Sequence, residues 1–395
     1  MLIITMSVPD HRKRNPFAKW KTAVKIFCIL TVVGISPYYL TPIFKFDKGV
    51  PFSGDQFYNP YKYLDTLWMR ANFHAHSRAW GGLAHGNVPV SDMIREYLDL
   101  NYHVPGISNY NFIEPRVESV DYYIPEYEHG FNVGYVHQLV LNTGRSTVFD
   151  FPLIQWLSHK QTVINWLKTA DNLIVLAHPD FKNSYSLNDL EFLGGYDLME
   201  IVSVRAVSLK HWDRALSTGH AIWGIANDDA HDTTDFDLGV CWNLVNVPYE
   251  SSESCIESLG NGRTVAVKGW LAQDMNQLRE LNIHNNVFEI KLDQRADSIL
   301  LFSDDGILVA SATNTEILSY SIQPHNTYLR AEVFETEPWN EWTRMYLNPV
   351  IRISGMQWPA NIQKTKVNWI LSVLYWLSIA FLQILMIYLA FFRWR

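Results

Sequence analysis

Residues 69–86 read MRANFHAHSRAWGGLAHG and bring His74, His76 and His85 into one short stretch behind a strand-like run. On a β-strand, residues i and i+2 point to the same side. His74 and His76 therefore aim two imidazoles at one point, which suits a metal ion better than a hydrophobic core. Other polar residues sit at the ends of strand-like runs: Asn109, Tyr110 and Asn111 in SNYN, Glu128 in IPEYEHG, His137 opening HQLVL, His178 closing LIVLAHP, and Asp229 and His231 in DDAH. Imidazole and carboxylate ligands together suit Zn, Mn or Fe, and several of them suit a multinuclear site. Glu128 is a carboxylate that could bridge two ions. Two ions ~3.5–4 Å apart would activate a water and clamp the oxygens of a phosphate ester.

Singly, each motif has an ordinary reading. A histidine after an apolar strand is often a hydrogen-bonded structural residue, and DDAH could be a turn with a capping aspartate. His103, His129, His211 and His220 lack comparable context and are read as structural. Arg78, beside the H-x-H pair, is either a surface residue or a partner for a phosphate oxygen.

The elements that must position these residues alternate. WMRANFHAH, YHVPGISNYN, GYVHQLVLNT, NLIVLAHP, LMEIVSV and AIWGIANDD read as strands. Between them SDMIREYLDL, LIQWLSHKQTVINWLKTA, LNDLEFLGG and LKHWDRALSTG read as helices, with Ser91 an expected N-cap and Gly219 an expected terminator. SSESCIESLGNG and RTVAVKG close the series. Such alternation implies a parallel α/β architecture. The polar residues then fall on the rim at the C-terminal ends of the strands, where barrel active sites gather. From about residue 283 the pattern changes to short alternating strands, with SDDG as a hairpin signal. Residues 283–356 are expected to form a small β-sandwich.

The order of the motifs lowers the odds of coincidence. H-x-H at the first strand, AHP midway and D-x-H after a late strand resemble the PHP (polymerase and histidinol phosphatase) family. Its members are metal-dependent phosphoesterases with a distorted (βα)7 TIM-like barrel, and the resemblance covers roughly residues 66–270. It implies metal ligands at His74, His76, His85, Glu128, His137, His178, Asp229 and His231. The first metal would be held by His74, His76, Glu128 and Asp229, the second by Glu128, His137 and His178. SNYN departs from the family's usual T-D-H-D or T-D-H-N. Asn109 and Tyr110 stand where an aspartate and a third-site histidine are expected. A neutral phenol is a poor ligand, so a third site is left with only His85 and His231. The expectation is a dinuclear centre, with Tyr110 donating a hydrogen bond and Asp229 or His231 handling protons.

Of the 395 residues, 48% are hydrophobic and 15 are Trp, enough for a packed core. Cys28, Cys241 and Cys255 do not make a disulfide framework. Residues 26–43 and 369–392 are free of charge, and about 20 apolar residues span a bilayer. The second stretch is expected to be a transmembrane helix. The first is either an anchor or the apolar core of a signal peptide. No small-x-small cleavage site follows it, which favours the anchor. The first 25 residues carry +5, the tail after the second stretch +2 and the whole chain −8, leaving −15 for residues 26–392. Basic flanks of this kind put both termini in the cytoplasm and the body outside, although Lys364 and Lys366 run against that rule. An acidic exterior body does not suit nucleic acid.

The functional expectation is a membrane-anchored, metal-dependent phosphoesterase with its catalytic domain outside the cytoplasm. Location alone points to membrane lipid as a neighbour and to a lipid- or cell-wall-linked ester as substrate. Two other readings stay open: a PHP-like binding module whose chemistry has lapsed, and a metal-dependent hydrolase of a non-phosphate bond.

Overall fold

The computed structural model describes residues 16–84, 86–234, 238–269, 275–336, 342–355 and 365–393. His85 lies outside them, as do most of the basic N-terminus and parts of the stretch 283–356.

In chain order, α1 (Pro16–Ile35) leads through a tight turn to β1 (Phe44–Lys45) and β2 (Gln56–Tyr58). Then follow β3 (Leu67–Asn72), α2 (Val90–Asp99), β4 (Val104–Pro105), β5 (Glu126–His129), β6 (Gln138–Leu141), α3 (Leu157–Leu167) and β7 (Leu173–Leu176). Next are β8 (Leu198–Ser203), α4 (Leu209–Ser217), β9 (Trp223–Asn227), β10 (Cys241–Val247), α5 (Ser252–Gly260) and β11 (Thr264–Gly269). The strands β12 (Leu278–His284), β13 (Val287–Ser303), β14 (Ile307–Ser321), β15 (Tyr328–Thr336), β16 (Trp342–Leu347) and β17 (Val350–Ile353) come after them. Finally β18 (Lys366–Val367) precedes α6 (Trp369–Tyr388).

The result is a mixed α/β fold with several sheets. One five-stranded sheet runs β5-β6-β7-β8-β9. A larger sheet carries β3, β4, β10 and β11 and continues through β16, β15 and β13 to β12. Neither sheet closes on itself. Two isolated parallel bridges, Ala75 with Ala230 and Tyr110 with Glu128, join them at one rim. The pairs β3–β4, β7–β8 and β8–β9 are parallel, as the alternation implied. β6 departs from it and is antiparallel to both neighbours. Residues 130–137, which connect β5 to β6, are too few for the crossover that parallel pairing needs. The inversion has a useful effect: the start of β6 reaches the rim where the other strands end. The SDDG turn does join a hairpin, β13 to β14. LNDLEFLGG makes only a short 3₁₀ turn at Asp189–Glu191.

Two segments are long and apolar enough to cross a membrane, Lys19–Leu40 and Trp369–Arg393. They pack side by side. The Tyr39 hydroxyl donates to Gln383 Oε1 at 3.1 Å, and the Gln383 amide donates to the carbonyl of Val32 at 3.2 Å. Where they emerge, β1 pairs antiparallel with β18. The pair is fastened to the body as well. Trp376 Nε1 donates to the Thr41 carbonyl at 3.0 Å, and His159 of α3 hydrogen-bonds the Tyr375 hydroxyl at 2.8 Å.

A buried ion pair locks α4 to β15. Arg330, 2% exposed, donates from Nε and Nη2 to the two oxygens of Asp213 at 2.7 and 2.8 Å, and from Nη1 to Glu332 at 2.6 Å. Removing one partner of such a pair strands a buried charge. Asp213→Ala is expected to lower the unfolding free energy of the full chain by about 3–5 kcal/mol. Thermal or denaturant unfolding checks this, and a change within error would mean that the pair contributes nothing net.

Candidate metal centre

The rim gathers residues from six strand ends. Chain direction explains the convergence. β3, β5, β7, β8 and β9 all end there, whereas β6 begins there, so His137 arrives from the N-terminal side of its strand. His74 and His76, past the end of β3, are fully buried, as is Glu128 within β5. His137, His178 and Asp229 are nearly so.

Glu128 is the hub. One of its oxygens, Oε1, lies 2.7 Å from His137 Nδ1, 3.4 Å from His178 Nε2 and 3.4 Å from His74 Nε2. The other lies 3.2 Å from His76 Nε2. Asp229 Oδ1 stands 3.3 Å from Nε2 of both His74 and His76. These are close approaches, yet they leave polar atoms of His74, His76, Glu128, His137, His178 and Asp229 buried without a hydrogen-bond partner. Buried polar groups are almost always satisfied. The orphaned atoms of His74, His76, Glu128, His137 and Asp229 face one another, and His178 adds its Nε2 against Glu128; a cation would satisfy such a group. Two triads have the required spacing, His74–Glu128–His178 and His74–His76–Asp229, each with ligand atoms within 4.8 Å of one another. The donor set, imidazole nitrogen with carboxylate oxygen, fits divalent transition metals.

The electrostatics agree with a site built for positive charge. Burial opposes protonation of His74, but Asp229, Glu200 and Glu128 outweigh it and hold its pKa well above the usual histidine value. Burial would raise the pKa of Glu128, but His137 and His74 force it well below the carboxylate range. The protein thus keeps its carboxylates charged in a dry place, and a cation can take over the role of the imidazolium. Backbone strain collects here too. His178, Asp229 and Asn111 have positive φ values of 31°, 54° and 52°, a conformation that costs non-glycine residues energy and clusters at functional sites. At Gly130, φ is 145° and an added Cβ would meet the His137 ring at 2.4 Å, so this glycine gives His137 its room.

The remaining sequence candidates take distinct places. Tyr110 stacks on His76 with ring centroids 4.5 Å apart. Burial, then Glu128 and Asp229, push its phenol far above the ordinary value, so it stays a neutral donor. His231 stacks on the other side of His76 at 4.4 Å, and its Nδ1 lies 2.9 Å from the Asp229 carbonyl oxygen. Asn109 is committed to the fold: its Oδ1 accepts from the Ser77 amide and its Nδ2 donates to Glu114. Asn111 accepts from the Gly130 amide at 3.3 Å. Arg78 is exposed, and its guanidinium donates to the Asn87 carbonyl at 2.7 Å. His129 bonds Gln138 and the Phe149 carbonyl, which fits its structural reading.

Three residues escaped the sequence reading. Glu200 in LMEIVSV hydrogen-bonds His74 Nδ1 at 3.2 Å and accepts from the His178 amide at 2.8 Å. A lone acid inside an apolar strand is costly unless it has partners, and that was the available signal. Arg205, the first charged residue past β8, lies with Nε 3.4 Å from Asp229 Oδ2 and Nη2 3.3 Å from His231 Nδ1. Asp228 collects the amides of Gly239, Val240 and Cys241 and the Tyr97 hydroxyl. Burial pushes its pKa up to about 7 against those hydrogen bonds.

No protein-family model matches the chain, and no curated protein does. Among solved structures it is similar to a two-domain protein from Bacteroides vulgatus ATCC 8482 containing a predicted PHP-like metal-dependent phosphoesterase. The identity is 12%, the TM-score is 0.38, and the match covers 78% of this chain and 92% of that one. A likeness this loose assigns no residue its role.

Residues that orient metal ligands typically change affinity 10–100-fold when lost. Glu200→Gln is therefore expected to weaken binding of Mn or Zn by about 10–100-fold. Calorimetric titration of the metal-stripped protein checks this, and unchanged affinity would remove Glu200 from the site.

Proposed function

We propose that the chain is a metal-dependent phosphoesterase. One observation carries this reading: buried, orphaned polar atoms of His74, His76, Glu128, His137 and Asp229 face one another at one rim, with His178 Nε2 beside Glu128. Two divalent ions would be held by these donors, one by His74, His76, Glu128 and Asp229, the other by Glu128, His137 and His178; the spacing of the triads His74–Glu128–His178 and His74–His76–Asp229 supports metal binding here. Bound there, they would supply Lewis acidity toward a water and toward phosphate oxygens. The other roles belong to the chain. Glu200 fixes the His74 ring and the His178 backbone. Arg205 offers a guanidinium at the rim and is better placed than Arg78 to pair with a phosphate oxygen. Tyr110, kept neutral, donates a hydrogen bond to the ester. His231, beside Arg205, exchanges a proton with the solvent side of the site. A lapsed binding module would have no reason to keep six buried donors aimed inward, which favours the enzymatic reading.

The same reading extends to the whole chain. Residues 66–270 form the catalytic unit, and the ring outlined by the two sheets and their bridges supports a distorted barrel. Residues 283–356 form an accessory β-domain that spaces the unit. Residues 26–43 and 369–392 anchor it in a membrane with both termini in the cytoplasm.

In a direct test, the purified full chain should hydrolyse a generic aryl phosphate with Mn or Zn, lose activity to a chelator and regain it on metal addition. Asp229→Ala should lower kcat/KM at least about a hundredfold. Arg205→Ala should raise KM by about ten- to a hundredfold, the loss of a charged hydrogen bond. No turnover with metal demonstrably bound would sink the catalytic assignment. For topology, a cysteine placed at Asp305 should react with a membrane-impermeant maleimide in intact cells, and protection until lysis would reverse the orientation.

A further inference from the structure

A cavity of about 840 Å³ opens beside the metal centre. Tyr110 and His137, both part of the candidate site, line it together with Trp80, Phe131, Val133 and Leu153. Several wall residues are large, apolar and turned outward: Leu83 is 93% exposed, Phe131 75% and Val133 68%. Contiguous exposed apolar surface of this kind marks a binding site. Two polar side chains of the lining are engaged within the fold. The Asn132 amide is committed to Val136 and Asp150, and Asn111 accepts from Gly130.

The far wall leads to the candidate membrane helices. The Leu153 amide donates to the Tyr38 hydroxyl at 3.0 Å, and that hydroxyl donates to the Ile154 carbonyl at 3.0 Å. Tyr38 lies in the last turn of the span Lys19–Leu40. A Cβ built on Gly34 would sit 3.9 Å from Leu153 Cδ1. Ile154 and Trp156, which continue this wall, are 61% and 58% exposed. Trp at such a position is typical of a membrane interface. The groove therefore runs from the metal centre to the level at which the helices emerge.

We propose that the substrate is a phosphate ester of a membrane lipid, with its hydrocarbon chain in this groove and its phosphate at the metal centre. The proposal rests on the phosphoesterase reading for the identity of the head group, while the groove itself specifies the chain. An amphiphile entering from the bilayer would present its phosphate past Tyr110 and leave its tail between Phe131, Val133 and Leu153.

The test uses the full chain held in amphipol with Mn and n-alkyl phosphates of increasing length as competitors of aryl phosphate hydrolysis. Each buried methylene contributes about 0.8 kcal/mol, so decyl phosphate should inhibit at least about thirtyfold more tightly than ethyl phosphate, allowing for an open groove. Phe131→Asp and Val133→Asp should flatten that dependence, whereas Leu308→Asp on β14 should keep it. Hydrolysis without any chain-length dependence overturns the lipid assignment and leaves the phosphoesterase standing. The reverse outcome is separable, because a fluorescent decyl phosphate reads binding by anisotropy without turnover. Saturable binding weakened by Phe131→Asp, with no hydrolysis, supports the groove and overturns the enzyme. Absence of both overturns both.

Discussion

Everything at the rim follows from two carboxylates that have been taken out of water. Glu128 and Asp229 are ringed by imidazoles, and neither has enough hydrogen bonds to replace its lost hydration. Burying an ion is tolerable only when opposite charge lies close. Burial opposes protonation of His74, His76 and His178, the carboxylates outweigh it and raise their pKa values, and Arg205 Nε stands 3.4 Å from Asp229 Oδ2. Such an arrangement is crowded: His178 hydrogen-bonds Glu128, while His74, His76 and His137 approach the carboxylates with ring nitrogens left unpartnered. Divalent ions held by these donors would supply the positive charge the carboxylates need. The left-handed backbone at His178 and Asp229 fits the same picture, since both residues are bent out of regular geometry to bring their side chains to the hub.

That crowded cluster needs a rigid frame, and the surrounding polar residues supply it. Glu200 ties two ligands together from beneath. Asn227 donates to Glu200 and accepts from the Phe73 amide, while Asn243 hydrogen-bonds both the amide and the carbonyl of Ala226. The Phe73 and Asn243 contacts cross between the two sheets, while Asn227 also holds Glu200, so the site and the seam between the sheets share hydrogen-bonding residues. A substitution at the seam acts on the ligands, and one at the ligands acts on the seam.

Much of the candidate site was legible because metal ligands occur as short, ordered motifs. HAH, AHP and DDAH announce themselves by residue type and by their place after apolar runs. Glu200 and Arg205 did not, because each is a single charged residue whose meaning depends on what packs opposite. Asn109 looked like a site residue and turned out to fix a loop; asparagine does both jobs, and sequence does not separate them. The fold was readable where local periodicity governs, as in the parallel strands β7, β8 and β9. It was not readable at β6, where loop length set the direction. The continuation of the larger sheet from β11 into β16 and β15 was also hidden, because strand neighbours far apart in sequence leave no local trace.

The small β1–β18 pair ties the two apolar helices together at the point where they leave the body. A head held by one helix could swing on its stalk; a head held by two, clasped at the neck, could not. If the two helices cross a bilayer as proposed, that would leave sliding in the plane and spinning about the normal, with the mouth of the groove kept at constant height. Under the proposed lipid reading, encounters would become a two-dimensional search, governed by surface density rather than by concentration in the surrounding fluid.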